Sequence, residues 1–465
     1  MNPNDRKLQL CWRISLILTL VWYLVGVDHS NAAAAGITYY VNNTNTSCSD
    51  TGSGTTPSLP FCTISRGASV AVAGDIVSVL AGTYAETVSA PRSGSAGLPI
   101  LFTAAPGVTV SGDGTSASKA FKISTKSYII INGFTVTGTL GDGIYVTGSN
   151  NITISNNAIS YAGLPESGLN ARGIHFTNTN NSTITGNTAM YNTQDGIRLD
   201  TGSFNVTISN NTSFGNAQQW SRNAAGIDLV SSYSNMIIHN ITYANEDTGL
   251  NFFTNSHDNF VIGNLTYGNG DHGIDNNGSP GNTIIGNTVQ GNYTAGVNVE
   301  GTSPNATIMN NIMVDNGINP SAGQKSNLRV DASSVSGTTI DYDVFYLNSG
   351  TVQIKWNDIS YSTLATFKSA VPTQEVHGLQ ANPLFQAPAP VAIRPASAPY
   401  NVAVNVGDYH ITDGSPVIDS ANSNAPYEPT LDLDGKPRVN DPATPNTGAG
   451  AQNYDDRGAY EFQPN

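Results

Sequence analysis

Most titratable residues in the middle of this chain sit one or two positions from a glycine that is followed by an aliphatic residue. The position before that glycine runs Asp142, Arg172, Asp195, Ala225, Thr248, His272, Ala295, and the second position after it runs Tyr145, His175, Arg198, Asp228, Asn251, Asp275, Asn298. Two groups emerge. Arg172, His175, Asp195, Arg198, Asp200 and Asp228 form the first, and Asp247, Asp271, His272 and Asp275 the second. The carboxylates Asp247, Asp271 and Asp275 supply hard oxygen ligands of the kind Ca²⁺ takes. Asp195, Asp200 and Asp228 are candidates for a carboxylate pair that hydrolyses a glycoside. His175 and His272 have a side chain suited to proton transfer near neutral pH.

These residues recur because the chain does. The glycines of Gly143-Ile144, Gly173-Ile174, Gly196-Ile197, Gly226-Ile227, Gly249-Leu250, Gly273-Ile274 and Gly296-Val297 are spaced by 30, 23, 30, 23, 24 and 23 residues. A second series, Ile154, Ile184, Ile208, Ile238, Ile262, Ile285 and Ile308, keeps step with them. Such repeats mean a solenoid, since one unit cannot bury its apolar face without a neighbour. Apolar residues alternate within each unit, and Val, Ile and Thr dominate, so the units are strands. The expected fold is all-β: a parallel β-helix whose coils stack about 4.8 Å apart. Asn follows the second series two residues on (Asn156, Asn210, Asn240, Asn264, Asn287, Asn310; Gly186 is the exception), and a further Asn recurs as Asn192, Asn245, Asn269 and Asn292. Both are expected to be structural side-chain ladders at corners of the coil. On each Gly-aliphatic strand the residue after glycine should point inward and the next outward. Both groups then lie on one outward stripe.

Charged residues make up 11% of the chain, the net charge is −14, and only Arg172, Arg198 and Arg222 supply basic charge between 129 and 324. That excludes a phosphate-binding stripe, so nucleic acid is not an expected partner. Residues 1–35 have a basic start, an apolar run over 14–27 and small residues at 32–35, the pattern of a secretory signal. The mature chain is then expected outside the cell, free of the membrane and monomeric. Cys48 and Cys62 are the two remaining cysteines and fit a disulfide there. Residues 36–126 are expected to hold an N-terminal cap, with a helix over 63–73, and the first coils. The regular repeats fill 127–345, and 346–465 hold the last coils and an irregular closing segment packed on them. Asp432-Leu433-Asp434-Gly435 is expected to be a solvated turn and not an EF-hand loop. The coils spaced at 30 carry insertions at 161–171 and 217–225, two rungs apart. They should wall a groove over Asp195 and Arg198, with Tyr161, Trp220 and Arg222 placed to stack on or grip sugar rings.

Tyr39-Tyr40-Val41, Pro60-Phe61-Cys62-Thr63-Ile64, Gly74-Asp75-Ile76-Val77 and Ala81-Gly82-Thr83-Tyr84 resemble the N-terminal region of secreted right-handed parallel β-helix proteins, among which the family-nine pectate lyases are most similar. Gly414-Ser415-Pro416-Val417-Ile418-Asp419 and Arg457-Gly458-Ala459-Tyr460-Glu461 resemble a closing segment common in that group. The resemblance implies a right-handed β-helix acting on an acidic glycan such as pectate by calcium-assisted β-elimination. Asn269-Gly270-Asp271-His272-Gly273-Ile274-Asp275 is similar to the family's calcium segment, with His272 in place of one acid. The family's Lys base has no counterpart, because no Lys occurs from Ser127 to Gln324. Arg198, His175 and Arg329 are the substitutes, Arg329 falling in the outward column two rungs beyond Asp275. Arg172 and Asn251 are expected to touch substrate. A non-catalytic glycan-binding or surface protein and a carboxylate-dependent hydrolase are the alternatives.

Overall fold

The structure is a computed structural model that describes residues 36–464, apart from 116, 165, 167, 218–222, 319–322, 349–351 and 392–404. The expected signal at 1–35 lies outside the described residues. From Ile37 onward the chain forms one compact unit.

Three sheets of twelve strands run the length of this unit, and each coil gives one strand to each sheet. Pairing within them is parallel apart from the last pair of the second sheet, Ile354–Trp356 with Ile359–Tyr361. The first sheet starts at Thr38–Val41 and ends at Thr339–Asp341. The second carries the Gly-aliphatic strands, from Ile144–Thr147 through Ile174–Thr177, Ile197–Asp200, Ile227–Val230, Leu250–Phe253, His272–Asn277 and Ala295–Glu300 to Ser326–Val330. The predicted inward column, Ile144, Ile174, Ile197, Ile227, Leu250, Ile274 and Val297, is fully buried and stacks rung upon rung. The coils therefore share one continuous apolar core.

Asn ladders hold the corners, one residue away from the expected position in the first three coils and again in the last, where Asn311 and not Asn310 is the member. The amide of Asn187 donates from Nδ2 to Asn211 Oδ1 (3.0 Å) and to the Ile154 carbonyl (2.9 Å), while its Oδ1 accepts from Asn157 N and Nδ2. The column continues through Asn240, Asn264, Asn287 and Asn311 to Asp343. Ile208 pairs with Ile237, not Ile238, so the Ile series slips register there. Asn156, Gly186, Asn210 and Asn310 instead take the left-handed backbone that turns the corner, at φ 56°, 67°, 56° and 60°. The second predicted series is a true ladder, extended by Asn216 and Asn316 to Asn327.

The expected helix forms over Ile64–Val70, with Thr63 Oγ1 accepting from Arg66 N at its start (3.1 Å). Cys48 and Cys62 are disulfide-bonded. At the far end a helix over Leu364–Ala370 buries Leu364 and Phe367, the latter against Trp356 and Tyr361. The closing segment lies along the flank of the later coils. Tyr409 packs on Tyr267, which stacks on Tyr243, and Ala459 N donates to Thr288 Oγ1 (3.0 Å). Its apolar residues find the aromatic outer face of the third sheet, a more favourable surface than a coil end already covered by the helix. Asp432 is buried instead of solvated. Its carboxylate accepts from the N–H groups of Asp434, Lys436 and Glu461.

Asn240→Ala would remove the acceptor of the Asn211 N–H, one of the two acceptors of its Nδ2, and a donor to the Ile208 carbonyl. It is expected to cost about 2–4 kcal/mol, whereas Asn210→Ala, at an exposed corner, should cost about 1–2 kcal/mol from its left-handed backbone alone. Thermal unfolding of the two variants checks the order.

Candidate functional site

Strand register places the outward column as predicted. Tyr145, His175, Arg198, Asp228, Asn251, Asp275, Asn298 and Arg329 are neighbours in that order on successive rungs. The column runs on into Lys122 before Tyr145 and Lys355 after Arg329, so it contains lysines at its two ends only. Seven rung steps from Tyr145 to Arg329 span about 34 Å.

In the first cluster every acid has a cationic or amide partner. His175 sits between two acids, with Nδ1 3.0 Å from Asp142 Oδ2 and Nε2 3.0 Å from Asp200 Oδ2. Two acceptors call for a ring that donates from both nitrogens. Burial alone would lower its pKa, but these hydrogen bonds raise it. Burial likewise opposes ionisation of Asp142 and Asp200, yet the His175 contacts hold both below the usual carboxylate range. Arg198 Nη1 donates to Asp228 Oδ2 (2.7 Å) and Asp195 Oδ2 (3.4 Å), and its Nε donates to Asp200 Oδ2 (3.2 Å). Burial would lower its pKa, but the charges of Asp228, Asp195 and Asp200 raise it. A guanidinium held this way keeps its proton, so Arg198 cannot serve as the base considered from the sequence. Arg172 Nε stands 3.6 Å from Asp195 Oδ2, and its guanidinium is partly open to solvent.

Asp228 is the exception within this cluster. It is 3% exposed, and burial together with the charge of Asp195 raises its pKa to about 7, against the pull of Arg198. Asn251 Nδ2 donates to its second oxygen (2.8 Å). Because Asp195 Oδ2 and Asp228 Oδ2 share Arg198 Nη1, they cannot be farther apart than those two contacts together, about 6 Å.

The second cluster has more acid than base. Asp247 and Asp271 are adjacent, with Asp271 N donating to the Asp247 carbonyl (2.8 Å). Burial and the charges of Asp271, Glu246 and Asp275 push Asp247 up to about 8. Burial also raises Asp275 to about 6, opposed by His272 and reinforced by Glu300. Asn298 Nδ2 donates to Asp275 Oδ1 (2.8 Å), and Asn298 Oδ1 accepts from Arg329 Nη1 (2.8 Å). Arg329 also donates to Glu300. This second arginine is thus clamped between an amide and a carboxylate and is no better a base than Arg198.

Sequence reasoning missed Glu300 and gave Asp142 no role. Alternation sends the fourth residue after glycine outward as well, which pairs Thr177 with Asp200 and Asn277 with Glu300. Tyr161 stacks on Tyr191 (5.7 Å between ring centres), not over the stripe. Trp220 and Arg222 lie outside the described residues.

These features define a parallel β-helix with one charged, partly buried stripe along its second sheet. A family model described as "Right handed beta helix region" matches residues 107–221 and 220–359, and the chain belongs to that family. No curated protein matches the chain. Among solved structures, it is similar to pectate lyase Pel9A at 16% identity, over 92% of this chain and 96% of that one, with a TM-score of 0.54. XylC in complex with xylose matches at 14% identity over 70% and 86% of the two chains, TM-score 0.52. A GH136 lacto-N-biosidase from Eubacterium ramulus matches at 13% over 74% and 66%, TM-score 0.52. At these identities the likeness is one of fold.

Raised carboxyl pKa values make the folded chain bind more protons than the unfolded chain between about pH 4 and pH 8. Stability then falls as pH rises through that window, and the raised His175 acts in the same direction. The depressed Asp142 and Asp200 matter only at lower pH. In chelator the melting temperature is expected to be lower at pH 8 than at pH 5. Asp247→Asn should raise it at pH 8 and leave it nearly unchanged at pH 5.

Proposed function

We propose that the protein is an exported glycan-active enzyme that binds a polysaccharide along the Tyr145–Arg329 stripe and cleaves an acidic glycan such as pectate by β-elimination, with Ca²⁺ held by Asp247, Asp271 and Asp275. The observation that carries this reading is the second cluster, where buried carboxyls repel one another without enough cationic charge to balance them. An all-oxygen donor set of this kind fits Ca²⁺. When bound, the ion would neutralise a uronate carboxylate and so acidify the adjacent C–H. Asp228 lies two rungs from Asp275, about 10 Å along the stripe. It titrates near 7 and takes the proton from that carbon. The C–H electron pair becomes the new double bond, and the glycosidic oxygen leaves with its sugar. His175 is four rungs from Asp275, about 19 Å, too far for that proton. Arg172 and Asn251, both half-buried, contact the chain beside it.

The match to a pectate lyase over most of both chains supports this reading. Export is supported by the Cys48–Cys62 disulfide; among the described residues no helix is long and apolar enough to cross a membrane. One observation favours hydrolysis as a second reading. Asp228, raised to about 7, and Asp195 share Arg198 Nη1, which brings two of their oxygens closer than the roughly 6.5 Å at which inverting carboxylate pairs begin.

Incubation with polygalacturonate should give a calcium-dependent rise in ultraviolet absorbance from unsaturated ends. Asp228→Asn should slow it by about 10²- to 10⁴-fold. New reducing ends without absorbance, on this or a neutral glycan, would replace elimination by hydrolysis. Retained glycan binding with no new ends of either kind would make the protein a binding protein.

A further inference from the structure

His272, Asp275 and Glu300 each offer a ligand atom, and the three atoms lie within 4.8 Å of one another. Glu300 belongs to the rung after His272 and Asp275, so the three close on one point across the gap between two coils. The imidazole is 2% exposed and short of partners. Its Nδ1 is buried with none. Its Nε2 has only a 3.3 Å contact to Asn298 Nδ2, which already donates to Asp275, and Asp271 Oδ2 at 3.5 Å. With Nδ1 unpartnered and Nε2 making only long contacts, the buried imidazole has a ring nitrogen without a hydrogen-bond partner beside two carboxylates.

We propose that His272, Asp275 and Glu300 hold a divalent transition ion of the Zn²⁺ or Co²⁺ class. One nitrogen and two carboxylates are the donor set such ions take with positions left open, whereas Ca²⁺ takes oxygen alone. The set shares Asp275 with the proposed calcium ligands and differs in the other two members, so the two ions compete for one carboxylate. It stands on its own geometry and not on the glycan reading. Arg329 is the built-in competitor. Its guanidinium holds Glu300 and Asn298, with Asp358 Oδ1 3.7 Å from Nη2 as the carboxylate it turns to when Glu300 binds the ion.

Titration of the full chain with Co²⁺ at pH 7, followed by visible absorption, tests this without any substrate. A protein-bound band, stronger than that of the aqua ion and saturating at one ion per chain, is expected. His272→Asn and Glu300→Gln should weaken binding by about 10- to 100-fold. Arg329→Gln should tighten it by about tenfold by removing a like charge. Asp247→Asn should leave the band in place while removing the calcium effect on melting temperature. No protein-bound band in either the native chain or Arg329→Gln overturns the proposal, and both of those proteins keep all three ligands. A band lost with Asp247→Asn but kept with His272→Asn would return the ion to the all-oxygen set.

Discussion

Everything in this protein follows from the spacing of one coil on the next, about 4.8 Å. At that distance the nearest neighbour of a side chain is the residue at the same position one coil away. An amide in such a column gains, because Asn carries donor and acceptor together and each copy satisfies the next. Asn157 through Asn311 do so in unbroken succession. Where Asp343 takes the Asn position, it accepts from Asn311 but has no amide hydrogens to pass on, and the ladder ends there. A carboxylate column behaves in the opposite way, since each copy repels the next. The stripe on the second sheet is where this chain accepts that repulsion.

It resolves the repulsion in two ways. In the first cluster, Arg172, His175 and Arg198 are interleaved with Asp142, Asp195, Asp200 and Asp228. The result is a rigid, nearly neutral network with one acid, Asp228, left near its titration point. In the second cluster the cations run short, and burial and repulsion raise Asp247 to about 8 and Asp275 to about 6. A group that holds a proton only because no cation is present is poised to exchange one for the other.

Much of this was legible because glycine marks each coil. The Gly-aliphatic pairs mark the inward column and the register of the outward column through Arg329, since alternation fixes every side chain once one is placed; the outward column was expected to face solvent, yet Asp228, Asp275 and Asn298 are buried by their neighbours along the stripe. The Asn series was harder. Ile237 and Ile238 both fit a strand, and so do Ile284 and Ile285, so spacing alone could not tell which isoleucine faces the core. Glu300 occupies the same second outward position as Asp200, but it stands 25 residues along the chain from Asp275, and only the stacking of coils brings the two together. The clamping of Arg198 and Arg329 depends on side-chain reach across rungs, which no linear pattern encodes. The course of the closing segment depends on which surface its aromatic residues meet, and the Tyr243–Tyr267 face becomes visible only when coils are stacked.

With burial and mutual repulsion raising Asp247 to about 8, a cation that binds beside it at pH 7 must displace a proton. Calorimetric titration of Ca²⁺ at pH 7, in buffers of different ionisation enthalpy, measures this directly. Calcium binding is expected to release protons, with the release falling away above pH 9 and vanishing in Asp247→Asn. Binding with no proton release at pH 7, or no calcium binding at all, would contradict it.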